Sequence, residues 1–120
     1  MNEMQWEGSA NQAQAALQRA LATTDPSQAV TELSDVIRAV ETALSEAMAA
    51  AVLAGTSMRK VAEAAGIAPN SVPPRLARST PLAAYVASGA STADAIVVAR
   101  HDAATGRSPM TFKPRRKEQS

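Results

Sequence analysis

The chain has 120 residues, a formal net charge of +1 and no cysteine. This length indicates one domain with tails, and the lack of cysteine excludes disulfides and thiolate metal sites. Because the sequence shows neither a run of about 18 apolar residues nor a signal-peptide pattern, we expect a soluble, cytoplasmic protein that does not enter the membrane.

Alanine dominates the apolar composition. It accounts for 28 residues, whereas leucine, isoleucine, valine and phenylalanine together account for only 20. A core built from so few large side chains is marginal for a chain of this size. We therefore expect a partner chain to bury further apolar surface.

The two halves of the chain carry opposite charge. Residues 1–54 have a net charge of −5 and residues 55–120 a net charge of +6. A basic half is typical of a protein that binds a polyanion such as nucleic acid. The alternative is chance clustering of solvated surface charge.

The first predicted helix covers about residues 5–22. Its apolar side chains recur at intervals of three and four residues, which predicts one buried stripe: Trp6, Ala10, Ala13, Leu17 and Leu21. We expect Trp6 to pack against the next helix or a partner chain rather than to stack on a ligand.

The second predicted helix covers residues 26–53. Pro26 suits a first helical position behind an Asp25 or Thr24 cap, and neither glycine nor proline interrupts the 28 residues, which would span about 42 Å. Apolar residues alternate at spacings of three and four, as in a coiled coil: Val30, Leu33, Ile37, Val40, Leu44, Ala47 and Ala51.

The sequence leaves two alternatives for the partner of this line of apolar residues, which we call the seam. The first helix can fold back on it as an antiparallel hairpin, or a second copy of the chain can pair with it. Because the first helix is much shorter than the second, we expect a homodimer. The predicted dimerisation residues are Val30, Leu33, Ile37, Val40 and Leu44.

The stretch from Gly55 to Arg78 predicts two short helices joined by a tight turn. Ser57 can cap a helix that begins at Met58, and Gly66 can adopt the positive φ that ends it. Val61, Ala62 and Ala65 share an inward face, Ile67 and Val72 fill the corner, and Leu76 continues the inward face one turn later.

This stretch resembles a helix-turn-helix DNA-binding motif. Ala62, Gly66 and Val72 stand where that family has a small residue, a glycine and a β-branched residue. The lead-in GTSMRKVAEAAGIA also resembles short actinobacterial helix-turn-helix regulators. The resemblance covers about one fifth of the chain and implies transcriptional regulation, most often repression.

Two adjacent prolines restrict the second helix of the motif. Pro73 and Pro74 would break a helix that began at Pro69, but they are tolerated as the second and third residues of a helix capped by Ser71. We therefore predict a short helix from Val72 to about Arg78.

The motif supplies most of the candidate DNA contacts. Arg59 and Lys60 lie in the first turn of the first motif helix, where side chains meet phosphate. Asn70, Ser71 and Arg75 are placed to reach base edges, although Asn70 and Ser71 have helix capping as an equal alternative. Arg78 is predicted to contact phosphate.

The C-terminal region divides into two short segments and a tail. Ser79 or Thr80 can cap a helix that begins at Pro81 and turns Leu82, Tyr85 and Val86 inward. The next segment is predicted as a helix from about Ser91 to His101. The alternative for residues 91–112 is a strand at 96–98 that turns back through 102–106 into a wing.

A basic tail completes the candidate DNA contacts. Residues 112–120 look disordered, and their cations are predicted to follow the DNA backbone, to enter a minor groove or to act only in solubility. These cations are Lys113, Arg115, Arg116 and Lys117.

Catalysis has no comparable support. The chain has one histidine, no metal-ligand spacing, no glycine-rich phosphate loop and no serine elbow. We expect no enzyme activity, no cofactor and no metal, and the sequence implies no small-molecule ligand. His101 is expected to be a surface residue.

The sequence thus predicts an all-α protein. Residues 1–54 form a helical dimerisation region, residues 55–101 a DNA-binding region and residues 102–120 a basic tail. The predicted function is a homodimeric repressor on duplex DNA in the nucleoid. The alternatives are a plasmid or phage accessory factor for partition, replication or transfer, and a helical protein-interaction module without DNA binding.

Overall fold

The computed structural model describes residues 5–105, and within that range the regular secondary structure is entirely helical. The predicted all-α class is confirmed. A 3₁₀ turn at Pro69–Ser71 lies between α3 and α4. The helices are α1 (Gln5–Ala22), α2 (Pro26–Leu53), α3 (Met58–Ala65), α4 (Val72–Ala77), α5 (Thr80–Ala87) and α6 (Thr92–Thr105).

The chain divides into two compact units, Met1–Ala47 and Met48–Ser120. We call these the N-terminal and the C-terminal unit. The division falls inside α2, which is continuous through it. The predicted functional boundaries at residues 54 and 101 stay predictions.

In the N-terminal unit, α2 begins as predicted. The Asp25 carboxylate accepts a hydrogen bond from the Ser27 amide at 3.1 Å, and the Asp25 carbonyl accepts one from Ala29 at 2.9 Å. Arg19 of α1 forms an ion pair with Glu32 of α2, with 2.8 Å between Nε and Oε1. The two helices therefore contact each other through this pair of charged side chains.

The predicted inward face of α1 is only partly correct. Ala13 and Ala16 are buried, but Leu17 is 42% exposed and Leu21 is 74% exposed. Ala10 is also exposed, and Trp6 is half-buried. A stripe of alanine has short side chains that allow a neighbouring helix to approach closely, so the buried face of α1 is centred on alanine rather than on leucine.

The core of the C-terminal unit lies among α3, α4, α5 and α6. Helix α4 contacts the other three, and α5 packs along α6. Leu82 and Tyr85 are buried as predicted, whereas Val86 is only half-buried. Among the described residues of this unit, the buried apolar side chains are Met48, Ala49, Val52, Val61, Ala62, Val72, Leu76, Leu82, Tyr85, Ala95, Ile96 and Ala99.

Helix α6 decides between the two alternatives for residues 91–105. Its first turn is capped by Ser91, whose hydroxyl oxygen accepts a hydrogen bond from the Asp94 amide at 3.1 Å. The helix runs through 96–98 and continues to Thr105, four residues beyond the predicted end. The strand at 96–98 and the turn that starts at Asp102 are therefore wrong, because helical hydrogen bonds continue there. Residues 107–112 of the wing lie outside the described residues.

Candidate nucleic-acid interface

The first helix of the candidate motif, α3, has a hydrogen-bonded start. The hydroxyl oxygen of Ser57, whose backbone is extended, accepts a hydrogen bond from the Lys60 amide at 3.1 Å. Just before it, Gly55 adopts a φ of +114°, and the Thr56 amide donates to the Ala51 carbonyl at 2.9 Å. These bonds end α2 and begin α3 within a few residues, as the sequence predicts.

Gly66 forms the corner after α3. Its φ of +73° and ψ of 31° lie in the left-handed region, and its amide donates to the carbonyls of Ala62 and Glu63. The Ile67 amide donates to the Ala62 carbonyl at 3.1 Å. This pattern satisfies the last carbonyls of α3 while the chain changes direction, which is the role predicted for this glycine.

The second helical segment of the motif begins earlier than the sequence predicts. The 3₁₀ turn at Pro69–Ser71 leads directly into α4, where Pro73 and Pro74 are the second and third residues as predicted. A proline has no amide hydrogen, so these positions cannot donate the bonds that would hold 69–71 in an α-helix. The tighter turn avoids the need for those bonds.

Ser71 does not act as the predicted cap. Its φ of −86° and ψ of −11° are helical, and its side chain makes no capping hydrogen bond. The chain is already turning at Pro69, so the extended backbone that a capping serine needs is absent at Ser71. Ala68 instead takes the extended conformation, with a φ of −68° and a ψ of 145°.

The apolar and polar sides of the motif separate. Val61, Ala62, Val72 and Leu76 are buried, and α3 contacts both the 3₁₀ turn and α4. The candidate DNA-binding side chains lie on the outside to different degrees. Arg59, Lys60, Asn70 and Arg78 are exposed, while Ser71 and Arg75 are half-buried.

The candidate DNA-binding surface carries an acidic residue beside its basic ones on α3. Arg75 and Arg78 are three residues apart and therefore lie on one side of the end of α4. Glu63 is exposed on α3, one turn from Arg59 and Lys60. Its carboxylate weakens the positive potential on that side of the candidate interface.

Arg100 is a cation with a structural role that the sequence does not indicate. Its guanidinium donates two hydrogen bonds to the Val52 carbonyl at the end of α2, with an Nε to oxygen distance of 3.1 Å. The two residues are 48 positions apart, and no sequence pattern links them.

The remaining candidate residues fall into two groups. Lys113, Arg115, Arg116 and Lys117 lie outside the described residues, so their role stays a prediction. On α2, Val30 is 66% exposed, Leu33 45%, Ile37 63% and Val40 49%, while Leu44 is half-buried. The predicted seam is therefore open to solvent over its first four members in the single chain.

Other ligand chemistry has little basis in residues 5–105. No group of three histidine or carboxylate side chains there is arranged to hold a metal ion. A groove of about 440 Å³ lies between α1 and α2, but its two arginines, Arg19 and Arg38, are paired with Glu32 and Asp35.

No single helix among residues 5–105 is both long enough and apolar enough to span a membrane. Only α5 and Thr92–Asp102 of α6 reach the necessary length and apolarity jointly, and they are bent by 117°.

No protein-family profile matches this chain, and comparisons with curated proteins and solved structures also give no significant match.

Proposed function

We propose that this chain binds specific sequences of duplex DNA through α3 and α4 and acts as a homodimeric transcriptional regulator, most directly as a repressor in the nucleoid. One observation supports this best. Two short helices are joined at Gly66 in a left-handed conformation, with apolar residues inward and Arg59, Lys60, Asn70 and Arg78 exposed. The resemblance of this stretch to helix-turn-helix regulators supports the regulatory role.

Each polar residue has a defined role in the proposal. Arg59, Lys60 and Arg78 contact phosphates and fix the orientation of the protein on the duplex. Asn70 and Arg75 read base edges, because an amide can pair with adenine and a guanidinium with guanine through two hydrogen bonds. Ser71 contributes a single hydroxyl contact from the 3₁₀ turn.

The homodimer gives the proposal its geometry on DNA. Two motifs related by a twofold axis read two half-sites about 34 Å apart, one helical turn of the duplex. Such a protein recognises a palindromic site, and a palindrome that overlaps a promoter allows repression by occupancy.

A gel-shift experiment with DNA fragments from around the gene, repeated at two salt concentrations, tests DNA binding. We expect affinity to fall with salt, with a log–log slope of about −0.9 for each phosphate neutralised. Arg78→Ala should make the slope shallower by about 0.9 for each phosphate that is no longer neutralised. Arg38→Ala is the matched control, because Arg38 is an exposed arginine of the N-terminal unit with a side chain that is 72% exposed.

Base reading requires a separate comparison. Arg75→Ala should cost about 1–3 kcal/mol on the preferred site and relax specificity at one base pair, whereas Lys60→Ala should weaken all sequences alike. If wild type has no salt-dependent affinity for DNA, or if both variants bind as wild type does, the proposed interface is wrong.

A second candidate is a helical protein-interaction module. The exposed apolar side chains of α2 favour a protein contact of some kind. This function alone predicts protein association without DNA affinity, so the gel shift separates the two candidates.

A further inference from the structure

In the N-terminal unit, small apolar side chains are buried while most large aliphatic side chains are exposed. Its buried side chains, among those described, are Ala13, Ala16, Ser45 and Glu46. Its large aliphatic side chains are mainly exposed, and six of them are between 42% and 74% accessible. We call these six the apolar face: Leu17, Leu21, Val30, Leu33, Ile37 and Val40.

On α2, the members of the apolar face form a narrow stripe. At 3.6 residues per turn, Val30, Leu33, Ile37 and Val40 fall within an arc of about 80°. No charged residue of α2 lies within this arc, although Glu41 borders it. The stripe is therefore a continuous apolar ridge rather than a set of scattered residues.

The polar groove between α1 and α2 shows which way this ridge points. Asp35, Arg38 and Thr42 line the groove from α2, and their mean direction is about 150° around the helix from the stripe. The ridge therefore lies on the side of α2 that is roughly opposite the groove.

The leucines of α1 point the same way. Gln12 and Arg19 line the groove from α1, whereas Leu17 and Leu21 lie roughly on the opposite side of that helix. Because Arg19 reaches Glu32 across a connection of only three residues, the two helices run antiparallel. Both sets of apolar residues thus form one surface, with the polar groove on the other side.

We propose that a second copy of this chain covers the apolar face, so that two α1–α2 pairs form a four-helix bundle. The spacing of three and four residues along the stripe is that of a helix that packs against an equivalent helix. An uncharged surface also lacks the charge pairs that would select an unlike partner. The inference rests on the homodimer of the proposed function and specifies its interface.

This interface differs from a coiled coil along the whole of α2. Met48, Ala49 and Val52 are already buried, and Ala47 and Ala51 are half-buried, so the later part of the seam is not free for a second copy. The contact is limited to the stretch from Val30 to Val40. Leu17 and Leu21 extend it sideways onto α1.

Sedimentation equilibrium of the full chain without DNA tests the interface. We expect a dimer for wild type, and a dissociation constant at least about tenfold higher for Ile37→Asp, because a charge would be buried at the contact. Val97→Asp is the matched control on α6: Val97 is 65% exposed and Ile37 is 63% exposed. This control should dimerise as wild type does.

A second pair of variants tests the contribution of α1. Leu17→Asp should raise the dissociation constant as Ile37→Asp does, whereas Gln12→Asp, on the groove side of α1, should leave it unchanged. If Leu17→Asp dimerises as strongly as wild type, the four-helix arrangement is wrong.

Cross-linking provides a readout that does not depend on a destabilising charge. The chain has no cysteine, so Ile37→Cys introduces a single thiol near the middle of the proposed contact. Oxidation should give a covalent dimer with Ile37→Cys but not with Thr42→Cys on the groove side. A monomeric wild type, equal effects of Ile37→Asp and Val97→Asp, or cross-linking through Thr42→Cys alone would overturn the inference.

These outcomes are independent of DNA binding. A dimer that shows no salt-dependent affinity for DNA would keep the interface and remove the proposed regulator. A monomer whose DNA affinity depends on Arg78 would keep the proposed DNA contact but remove both the interface and the homodimer.

Discussion

At the scale of single residues, a buried polar pair lies in the interior of the C-terminal unit. Tyr85, the only tyrosine, is 1% exposed, and its hydroxyl donates a hydrogen bond to Oδ2 of Asp102 at 2.7 Å. Burial, the hydrogen bond and the negative charge of Asp102 raise the pKa of Tyr85 to about 12. The pair joins α5 to α6 and keeps the phenol neutral.

This pair predicts a loss of stability in base. An unfolded tyrosine releases its proton near pH 10, whereas folded Tyr85 keeps it until about pH 12. Between these values the unfolded state binds fewer protons, so the free energy of unfolding should fall as pH rises. Urea unfolding at several pH values in this range measures the fall in the free energy of unfolding. Tyr85→Phe should remove the part of this pH dependence that comes from the phenol. A phenolate absorbance midpoint near pH 10 in the native protein would contradict the prediction.

Gly66 is the residue on which the corner of the candidate motif depends. Apart from Gly66 itself and its two chain neighbours, no heavy atom lies within 4 Å of the place that a Cβ would occupy, so a side chain there meets backbone strain but no clash. We expect Gly66→Ala to lower the free energy of unfolding by about 1 kcal/mol. Gly66→Asn should cost less, because asparagine tolerates a positive φ. Urea unfolding of both variants checks the order, and equal stability of wild type and Gly66→Ala would contradict it.

At the scale of helices, the structure separates cations that hold the fold from those available to a ligand. Arg100 on α6 donates to the Val52 carbonyl, which also accepts a hydrogen bond from the Gly55 amide at the end of α2. Arg78, at the end of α4, is exposed. The two arginines should therefore respond to substitution in opposite ways.

We expect Arg100→Met to lower the free energy of unfolding by about 1 kcal/mol, because methionine keeps an apolar stem but donates no hydrogen bond. Arg78→Met should change stability by less than about 0.5 kcal/mol, since it is a surface substitution. Urea unfolding measures both changes in stability. In the gel shift the order should reverse, so that Arg78→Met loses more DNA affinity than Arg100→Met. A loss of DNA affinity with Arg100→Met at unchanged stability would contradict these assignments.

At the scale of the whole molecule, the two halves of the chain have different charge and different apolar surfaces. The acidic half carries the apolar face, and the basic half carries the candidate DNA-binding motif. Like charges on the acidic half oppose its association, so burial of the apolar face has to exceed this repulsion. Added salt screens the repulsion, and we expect it to strengthen the dimer while it weakens DNA binding.

If folding is coupled to dimerisation, stability should depend on protein concentration. We expect the apparent free energy of unfolding to rise by about 1.4 kcal/mol for each tenfold rise in concentration. Urea unfolding at two concentrations measures this, with Ile37→Asp as the variant that should lose the dependence. A wild-type midpoint that does not move with concentration would show that the chain folds without a partner.

Much of the helical architecture could be predicted because its signals are local. The starts of α2, α3 and α6 depend on Asp25, Ser57 and Ser91, each of which bonds an amide two or three residues away. The candidate site was less accessible to prediction. Its turn at Gly66 was predicted, but the 3₁₀ turn at Pro69–Ser71 was not, because the proline pattern indicated only where an α-helix cannot begin.

The amino-acid sequence is sufficient to predict the all-α class, the bounds of α1 and α2, the glycine corner and the separation of charge between the halves. These properties depend on neighbours along the chain and on composition. Three other features become visible only in the folded chain: α1 buries alanines and exposes Leu17 and Leu21, Asp102 accepts a hydrogen bond from Tyr85, and Arg100 binds the end of α2. Such contacts join residues far apart in sequence, and packing selects them from many pairings that the same helical pattern allows.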